Sequence, residues 1–169
     1  MSILKVDDFG TGKYYIPVNP KQETNLQTYI DEVESTQLVQ LFGVELYDLF
    51  IADLDANDVP QTARFTKIFD PFKDQTDDCL TISDGMKEML KGFVYYNYLR
   101  DLVRRATTTG LTEVFPENAK SVSGVWFDLN RRYNEAVETY KVIQNYMVNV
   151  DEANYTEYEG INLDYNHNF

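Results

Sequence analysis

The chain has little cysteine, little histidine and no long hydrophobic run, and each shortage excludes a class of protein. Its single cysteine, Cys79, allows no internal disulfide bond, which fits a reducing compartment. Its single histidine, His167, lies near the end of the sequence without partners for metal binding or general-base catalysis. The longest apolar run, at 93–98, is too short to span a bilayer, and the first residues lack a signal-peptide core. We therefore expect a soluble protein that is not an enzyme and has no catalytic residues, cofactor, metal site or membrane contact.

Basic residues are also scarce. The chain has 15 Lys and Arg against 28 Asp and Glu, which gives a formal net charge of −13. Nucleic-acid binding depends on Lys and Arg that neutralise phosphates, so we expect no specific nucleic-acid binding. An acidic wall would still let DNA slide past without sticking, although acidity that serves only solubility is the simpler interpretation. The 13 Tyr and 10 Phe are abundant, and Tyr is enriched in protein interfaces.

One acidic stretch resembles a calcium-binding loop. Asp53, Asp55 and Asn57 occupy the first three ligand positions of such a loop. The sixth position, where glycine belongs, is Asp58, and the twelfth, where a bidentate glutamate belongs, is Arg64. An arginine would put positive charge on the ion, so we interpret the stretch as a solvated loop.

The first residues, 1–21, are predicted to form an extended arm. Apolar Tyr14, Ile16 and Val18 alternate with other residues, and Pro20 limits the segment to an edge strand or an arm. The helical bundle domain is then predicted over 22–150. Its first helices are expected to begin near Thr24 and near Ser35 or Thr36, with a third after Gly43. A loop over 53–60, a short helix over 62–69 and an acidic loop over 70–78 follow.

Two long helices form the centre of the predicted bundle. Ser83 or Asp84 caps the first, whose apolar residues run from Met86 to Val103. The second has apolar residues spaced alternately by four and three over four heptads, namely Val122, Trp126, Leu129, Tyr133, Ala136, Tyr140, Ile143, Met147 and Val150. We expect the two helices to pack antiparallel; a self-associating coiled coil is the less favoured alternative. Threonines and β-branched residues around Gly110 predict a β-hairpin or extended loop near 107–116.

The C-terminal segment, 151–169, changes to a period of two. Ile161, Leu163, Tyr165, His167 and Phe169 alternate with polar residues, as in a strand with one buried face. A strand must pair with another, and the candidates are the N-terminal arm, the 107–115 segment or a neighbouring subunit. A disordered acidic tail is the alternative.

Three stretches together resemble a known family. The first is 38–48, with Leu-Phe-Gly followed by Leu-Tyr; the second is 85–90 running on to 95–100; the third is the Thr-Thr-Thr-Gly of 107–110 before the long last helix. In order and spacing they resemble the small helical head–tail connector (adaptor, or head-completion) proteins of tailed bacteriophages. The resemblance covers roughly 25–150 and is strongest to neck proteins of phages that infect Bacteroidetes-type hosts.

The resemblance implies a structural protein of the virion, assembled in the host bacterial cytoplasm. It would form a homo-oligomeric ring, commonly twelvefold, that docks under the portal protein, extends the DNA channel and receives the next neck or tail protein. The proposed contact residues lie in the arm, the predicted hairpin and the tail: Tyr14, Ile16, Val18, Thr107, Thr108, Thr109, Gly110, Leu111, Ile161, Leu163, Tyr165 and Phe169. The alternative function is an acidic helical module that binds or regulates a soluble protein partner.

Overall fold

The computed structural model describes residues 2–17, 20–76, 79–107, 110–113 and 125–166. These residues form a mainly helical fold, as the sequence predicts. The elements are α1 (Pro20–Phe42), α2 (Val44–Asp53), α3 (Ala63–Phe69), β1 (Phe72–Thr76), β2 (Cys79–Ser83), α4 (Met86–Val103), β3 (Arg104–Thr107), β4 (Gly110–Glu113) and α5 (Val125–Asn145). A π-helical turn, Tyr146–Val150, extends α5.

The antiparallel pair of α4 and α5 forms the centre of the fold, and this prediction is confirmed. The Tyr96 ring, late in α4, packs 4.9 Å from the Tyr133 ring, early in α5, while Phe93 reaches Tyr140 further along. The helices approach closely at Gly92, where an added Cβ would lie 2.7 Å from the Ala136 Cβ. The heptad positions that the structure describes are mostly buried, namely Leu129, Ala136, Tyr140, Ile143 and Met147.

The first predicted pair of helices is one continuous helix. Thr24 and Ser35 lie inside the 23 residues of α1 instead of at helix starts. The Ser35 hydroxyl donates to the Glu32 carbonyl of its own helix, so it does not interrupt the helix. The predicted break at Gly43 is confirmed, because this residue has a φ of +78° that favours glycine.

The loop between α2 and α3 uses its carboxylates for turns. Asp53 accepts hydrogen bonds from the backbone N–H groups of Gln61 and Thr62, at 2.8 and 2.9 Å, and so holds the start of α3. Asp55 accepts from the N–H groups of Asn57 and Val59, and these bonds lower its pKa. Both carboxylates therefore stabilise the chain itself, as in an Asx turn.

Two antiparallel hairpins flank α4. The first, β1–β2, pairs Phe72 with Ser83, and its strand β1 lies within 70–78, the range predicted as an acidic loop. It forms because one face, with Phe72, Thr81 and Ser83, is buried against the body. The second, β3–β4, pairs Arg104 with Glu113 and confirms the predicted hairpin, although it begins directly at the end of α4.

The N-terminal residues that the structure describes, 2–17, do not form the predicted edge strand. They form two 3-10 turns, Val6–Phe9 and Gly12–Tyr14, that pack into the core. The Glu34 carboxylate on α1 accepts hydrogen bonds from the backbone N–H groups of Ile3 and Leu4. These backbone groups are therefore paired without a neighbouring strand.

The C-terminal tail, defined here as 155–166, also lacks strand structure. It follows the surface of α5 in an irregular, extended course. Ile161 is 53% exposed, whereas Leu163 is packed against the core. The alternating apolar residues of the tail therefore do not lie on one buried face, as those of a strand would. Tyr155 is 2% exposed and belongs to the same core as Leu4 and Tyr140. The segments predicted as N-terminal arm, helical bundle and C-terminal tail therefore share one core.

No helix in the described ranges is long and apolar enough to cross a membrane.

Candidate interaction surfaces

Three side chains on α5 hold the backbone of the tail. The Tyr140 hydroxyl and the Gln144 amide both donate to the Ile161 carbonyl, at 2.6 and 2.8 Å. Further along, the Asn134 amide donates to the Asn166 carbonyl at 3.1 Å and accepts from its N–H at 2.8 Å. All of these hydrogen bonds are made to backbone atoms of the tail, so they do not depend on the identity of its side chains.

The tail also closes the end of α1. The N–H of Glu159 donates to the Phe42 carbonyl at 3.0 Å, and the N–H of Ile161 to the Gln40 carbonyl at 2.8 Å. These carbonyls lie in the last turn of α1, where the helix has no acceptor partners of its own. Gly160 permits this approach, because an added Cβ would overlap the Leu41 carbonyl. The tail is thus a structural cap for α1.

A second anchor lies nearer the start of the tail. The Tyr155 hydroxyl donates to the backbone carbonyl of Arg64, and the Arg64 guanidinium donates to the Asn154 carbonyl at 3.0 Å. The same guanidinium lies 3.3 Å from the Glu157 carboxylate. Burial raises the pKa of Tyr155 well above its ordinary value, so its hydroxyl stays protonated as a donor.

The solvent side of α5 carries two adjoining clefts, which we call the α5 surface. One cleft, of about 250 Å³, lies between β2 and α5 and is lined by Ile82, Asp84 and Glu138. The other, of about 300 Å³, lies beside the end of the tail and is lined by Phe127, Tyr165 and the same Glu138. Their shared lining makes one surface that runs from the hairpin β1–β2 to the tail.

Large apolar side chains stand at both ends of the α5 surface. Leu80 and Ile82, on the outer face of β2, are 61% and 51% exposed. Phe127 is 56% exposed, and Tyr165 is held by Lys141, whose ammonium lies 3.9 Å from the ring centroid. Exposed aromatic and aliphatic residues grouped beside clefts are typical of protein contact surfaces.

The charges on the α5 surface are partly neutralised. The Lys13 ammonium lies 3.1 Å from the Glu88 carboxylate and 3.8 Å from that of Glu135. Asp84 and Glu138 make no ion pair with any residue in the described part of the chain. Both are exposed, so they add two unpaired negative charges between the apolar ends of the surface, whose clefts are also lined by the cations Lys13 and Arg131.

A third cleft, of about 240 Å³, lies between α1 and α4. The Tyr29 hydroxyl donates to the Asp101 carboxylate at 3.1 Å, and the Arg100 guanidinium donates to the same carboxylate at 2.9 Å. These bonds link α1 to α4, and the positive charge of Arg100 neutralises the negative charge of Asp101. Among the described residues no group of three or more His, Cys, Asp or Glu side chains could hold a metal ion.

The proposed contact residues fall into separate places. Tyr14 and Ile16 are 3% exposed, so the chain's own body covers them. Thr107, Gly110 and Leu111 lie in the hairpin β3–β4, whereas Ile161 and Tyr165 are exposed on the tail and Leu163 is half-buried. Val18, Thr108, Thr109 and Phe169 lie outside the described residues.

The outer face of β2 and the clefts on α5 were not predicted from the sequence. The alternation of Leu80 and Ile82 with Thr81 and Ser83 was a signal for a two-faced strand, hidden by the acidic residues before it. Asn134 and Gln144 carried no sequence signal, because their role depends on where the tail returns in space.

Fold and surfaces together define a mainly helical protein with one hairpin at each end of α4 and with exposed apolar side chains beside the clefts on α5. Comparisons with protein-family models, with curated proteins and with solved structures found no match to this chain.

Proposed function

We propose that the chain is a structural protein that forms a ring in the neck of a tailed bacteriophage. In this role the ring joins the portal to the tail and extends the DNA channel. The proposal starts from the resemblance of 25–150 to the head–tail connector proteins. The observation that carries it further is the placement of two different hairpins at opposite ends of α4.

The separation of the hairpins follows from the length of α4. Its 18 residues span about 27 Å at 1.5 Å per residue. β2 ends at Ser83, three residues before α4 begins, and β3 begins at Arg104, directly after α4 ends. A head-to-tail ring requires each subunit to present two different surfaces that match each other. The two hairpins supply two different surfaces, one at each end of a rigid helix, and this placement supports the proposal.

The acidic character of the chain fits a DNA passage. A net charge of −13 leaves little basic surface for gripping phosphates. A ring built from such subunits would let DNA pass with weak attraction. Its assembly would then depend on local contacts, because copies of like charge repel one another at long range.

Electron cryo-microscopy of the particles from the native source tests this proposal. We expect density for a ring of this helical fold between portal and tail. Where particles are lacking, mass photometry of the chain mixed with a candidate portal protein serves the same purpose, and we expect a complex whose mass corresponds to several copies per portal. A neck without this fold would contradict the proposal.

One observation favours a second function, an acidic module that binds a soluble protein. Asp84 and Glu138 expose negative charge between the apolar ends of the α5 surface, which suits a basic partner. Copurification separates the two functions. A structural protein copurifies with phage particles, whereas a binding module forms a complex of fixed, small stoichiometry with a single soluble partner.

A further inference from the structure

We infer that the tail segment 162–165 is an open strand edge, to which an extended segment of another protein binds by strand addition. The bound segment would alternate basic with apolar side chains. This inference goes beyond the proposed function and does not depend on the neck role, because it follows from the backbone and charges of the tail alone.

The first argument is the course of the tail beside α5. The Gln144 amide holds the Ile161 carbonyl, and the Asn134 amide holds the backbone of Asn166. The two amide side chains lie ten positions apart on α5, which is about 15 Å along the helix. Five steps of the tail cover this distance at about 3 Å per residue, close to the rise of about 3.3 Å in a β-strand. The segment therefore has nearly the extension of a strand.

The second argument is the backbone of this segment. The N–H and C=O groups of residues 162–165 make no hydrogen bond to any described part of the chain. Neighbouring residues of an extended segment direct these groups to opposite edges. Ile161 bonds to α1 and α5, so the backbone groups of Asn162 lie on the opposite edge. An exposed row of unpaired backbone donors and acceptors is a template on which another strand pairs.

The third argument is the space beside the segment. Asn162 lines a cleft of about 540 Å³ between the tail and α5, and neighbouring strands need a separation of only about 4.8 Å. Val148, which is 40% exposed, offers an apolar contact in this cleft. The Asn149 amide donates to the Asn145 side-chain oxygen. This bond leaves the Asn145 amide and the Asn149 oxygen without a partner in the described part of the chain, as a donor and an acceptor for a second backbone.

The fourth argument is charge, which selects the partner. The tail has no Lys or Arg, and its Glu159 and Asp164 carboxylates are exposed and make no ion pair with a described residue. Lys141 lines the cleft, but its ammonium lies 3.9 Å from the centroid of the Tyr165 ring. A basic segment would bring opposite charges to the two carboxylates, whereas the tail of a second copy would bring like charges. The charges therefore favour a basic segment of another protein.

Titration of the isotope-labelled full chain with a synthetic peptide, followed by NMR, tests the inference. The probe is Thr-Lys-Val-Lys-Val-Lys-Thr with both ends blocked. We expect saturable shifts and slower hydrogen exchange of the backbone amides of Asn162 and Asp164. The control peptide carries N-methyl groups on two adjacent central residues, which block both of its edges and keep its side chains. It should bind at least about tenfold more weakly, because backbone hydrogen bonds are lost.

Asn162→Pro and Asn162→Ala are the matched variants of the chain. Proline removes a backbone N–H that has no partner in the described ranges, and it is compatible with extended backbone, so the fold should be kept. Alanine keeps the N–H and lacks only the side chain. We expect the Asn162→Pro chain to bind the probe about tenfold more weakly than the Asn162→Ala chain. Circular dichroism checks the fold of both variants, and the N-methylated peptide decides the same question on the unaltered chain.

Reversal of one charge tests the choice of a basic partner. Asp164→Lys should weaken binding of the Lys probe and strengthen binding of the same peptide with Glu in place of Lys. Asp48→Lys, an exposed reversal on α2, should change neither. The inference is overturned by an absence of binding, by equal binding of the N-methylated peptide, or by equal binding of the Asn162→Pro and Asn162→Ala chains. Self-association that Asn162→Pro abolishes would overturn the choice of partner in favour of a second copy.

Discussion

The side chain of Asn134 pairs with the backbone of Asn166 through two hydrogen bonds, of 3.1 and 2.8 Å. The arrangement copies the bonding of a neighbouring strand, with a helix side chain in place of a second backbone. It explains how a tail with the sequence alternation of a strand is held without a sheet. The tail is therefore part of the folded body over the residues described.

Replacing Asn134 by alanine should release the end of the tail without unfolding the bundle. Losing the bond to the Asn166 N–H removes about 1 kcal/mol of local stabilisation, so exchange of that amide should become roughly fivefold faster. Hydrogen exchange followed by NMR measures this effect. Asn149→Ala is the control, because the Asn149 amide donates to the Asn145 side chain, and its loss should leave exchange at 166 unchanged.

Shortening the chain should have two distinct effects, depending on where it ends. A chain that stops at residue 150 lacks Tyr155, which is 2% exposed in the core, and should lose at least about 3 kcal/mol of unfolding free energy. A chain that stops at 163 keeps Tyr155 and the Ile161 carbonyl and should lose about 1 kcal/mol. Urea denaturation followed by circular dichroism measures both. Equal stability of the two shortened chains would exclude a core role for Tyr155.

Alanine at Gly92 should force α4 and α5 apart. The added Cβ would lie 2.7 Å from the Ala136 Cβ, and overpacking of this kind costs about 1–3 kcal/mol. Thermal denaturation should show a lower midpoint. In the control, Gly10→Ala, the residue is exposed and its added Cβ would lie 3.2 Å from one backbone oxygen, so a smaller change is expected. A Gly92→Ala chain as stable as the original would show that the helices are not in close contact.

The pH dependence of stability should depend on Glu34. The pKa of this carboxyl is raised from 4.5 to about 7, mainly because the group is buried. Hydrogen bonds from Leu4, Ile3 and Ser2 lower the pKa and offset part of this rise, and the nearby charge of Asp31 raises it further. The folded chain therefore binds more protons than the unfolded chain between these values. Its unfolding free energy should fall as the pH rises from about 4.5 to 7, by up to about 3 kcal/mol.

Glu34→Gln tests that dependence, because glutamine does not titrate. Urea denaturation at pH 5 and pH 7.5 should give a smaller difference in unfolding free energy for this variant than for the unaltered chain. Glu32→Gln, on the exposed side of the same helix, should keep the original difference. An unchanged pH difference in Glu34→Gln would show that another group is responsible.

The helices were predictable because their apolar residues repeat at helical spacing over many turns. The α4–α5 pair followed from the repeat through Leu129, Ala136 and Ile143, which leaves one apolar seam that a second long helix must cover. The break at Gly43 was predictable for a different reason, since few residues other than glycine accept a positive φ. The merging of two predicted helices into α1 was not predictable, because Ser35 suits a cap and an exposed helix position almost equally.

The candidate surface was harder to predict than the helices. Leu80, Ile82 and Phe127 are ordinary apolar residues in the sequence, and only the structure shows that the body leaves them exposed. The hairpin near Gly110 was predictable from its β-branched residues. Its place at the opposite end of α4 from β1–β2 depends on where α4 begins and ends.

The sequence by itself determined the helical class, the central helix pair, the scarcity of basic charge and the presence of a hairpin after α4. These properties depend on local periodicity and composition, which a single chain records directly. The tertiary structure alone decided the course of both terminal segments. Their backbone groups are paired by Glu34, Asn134 and Gln144 across 17 or more positions in the chain. Partners so distant leave no periodic signal, because packing of the helices brings them together.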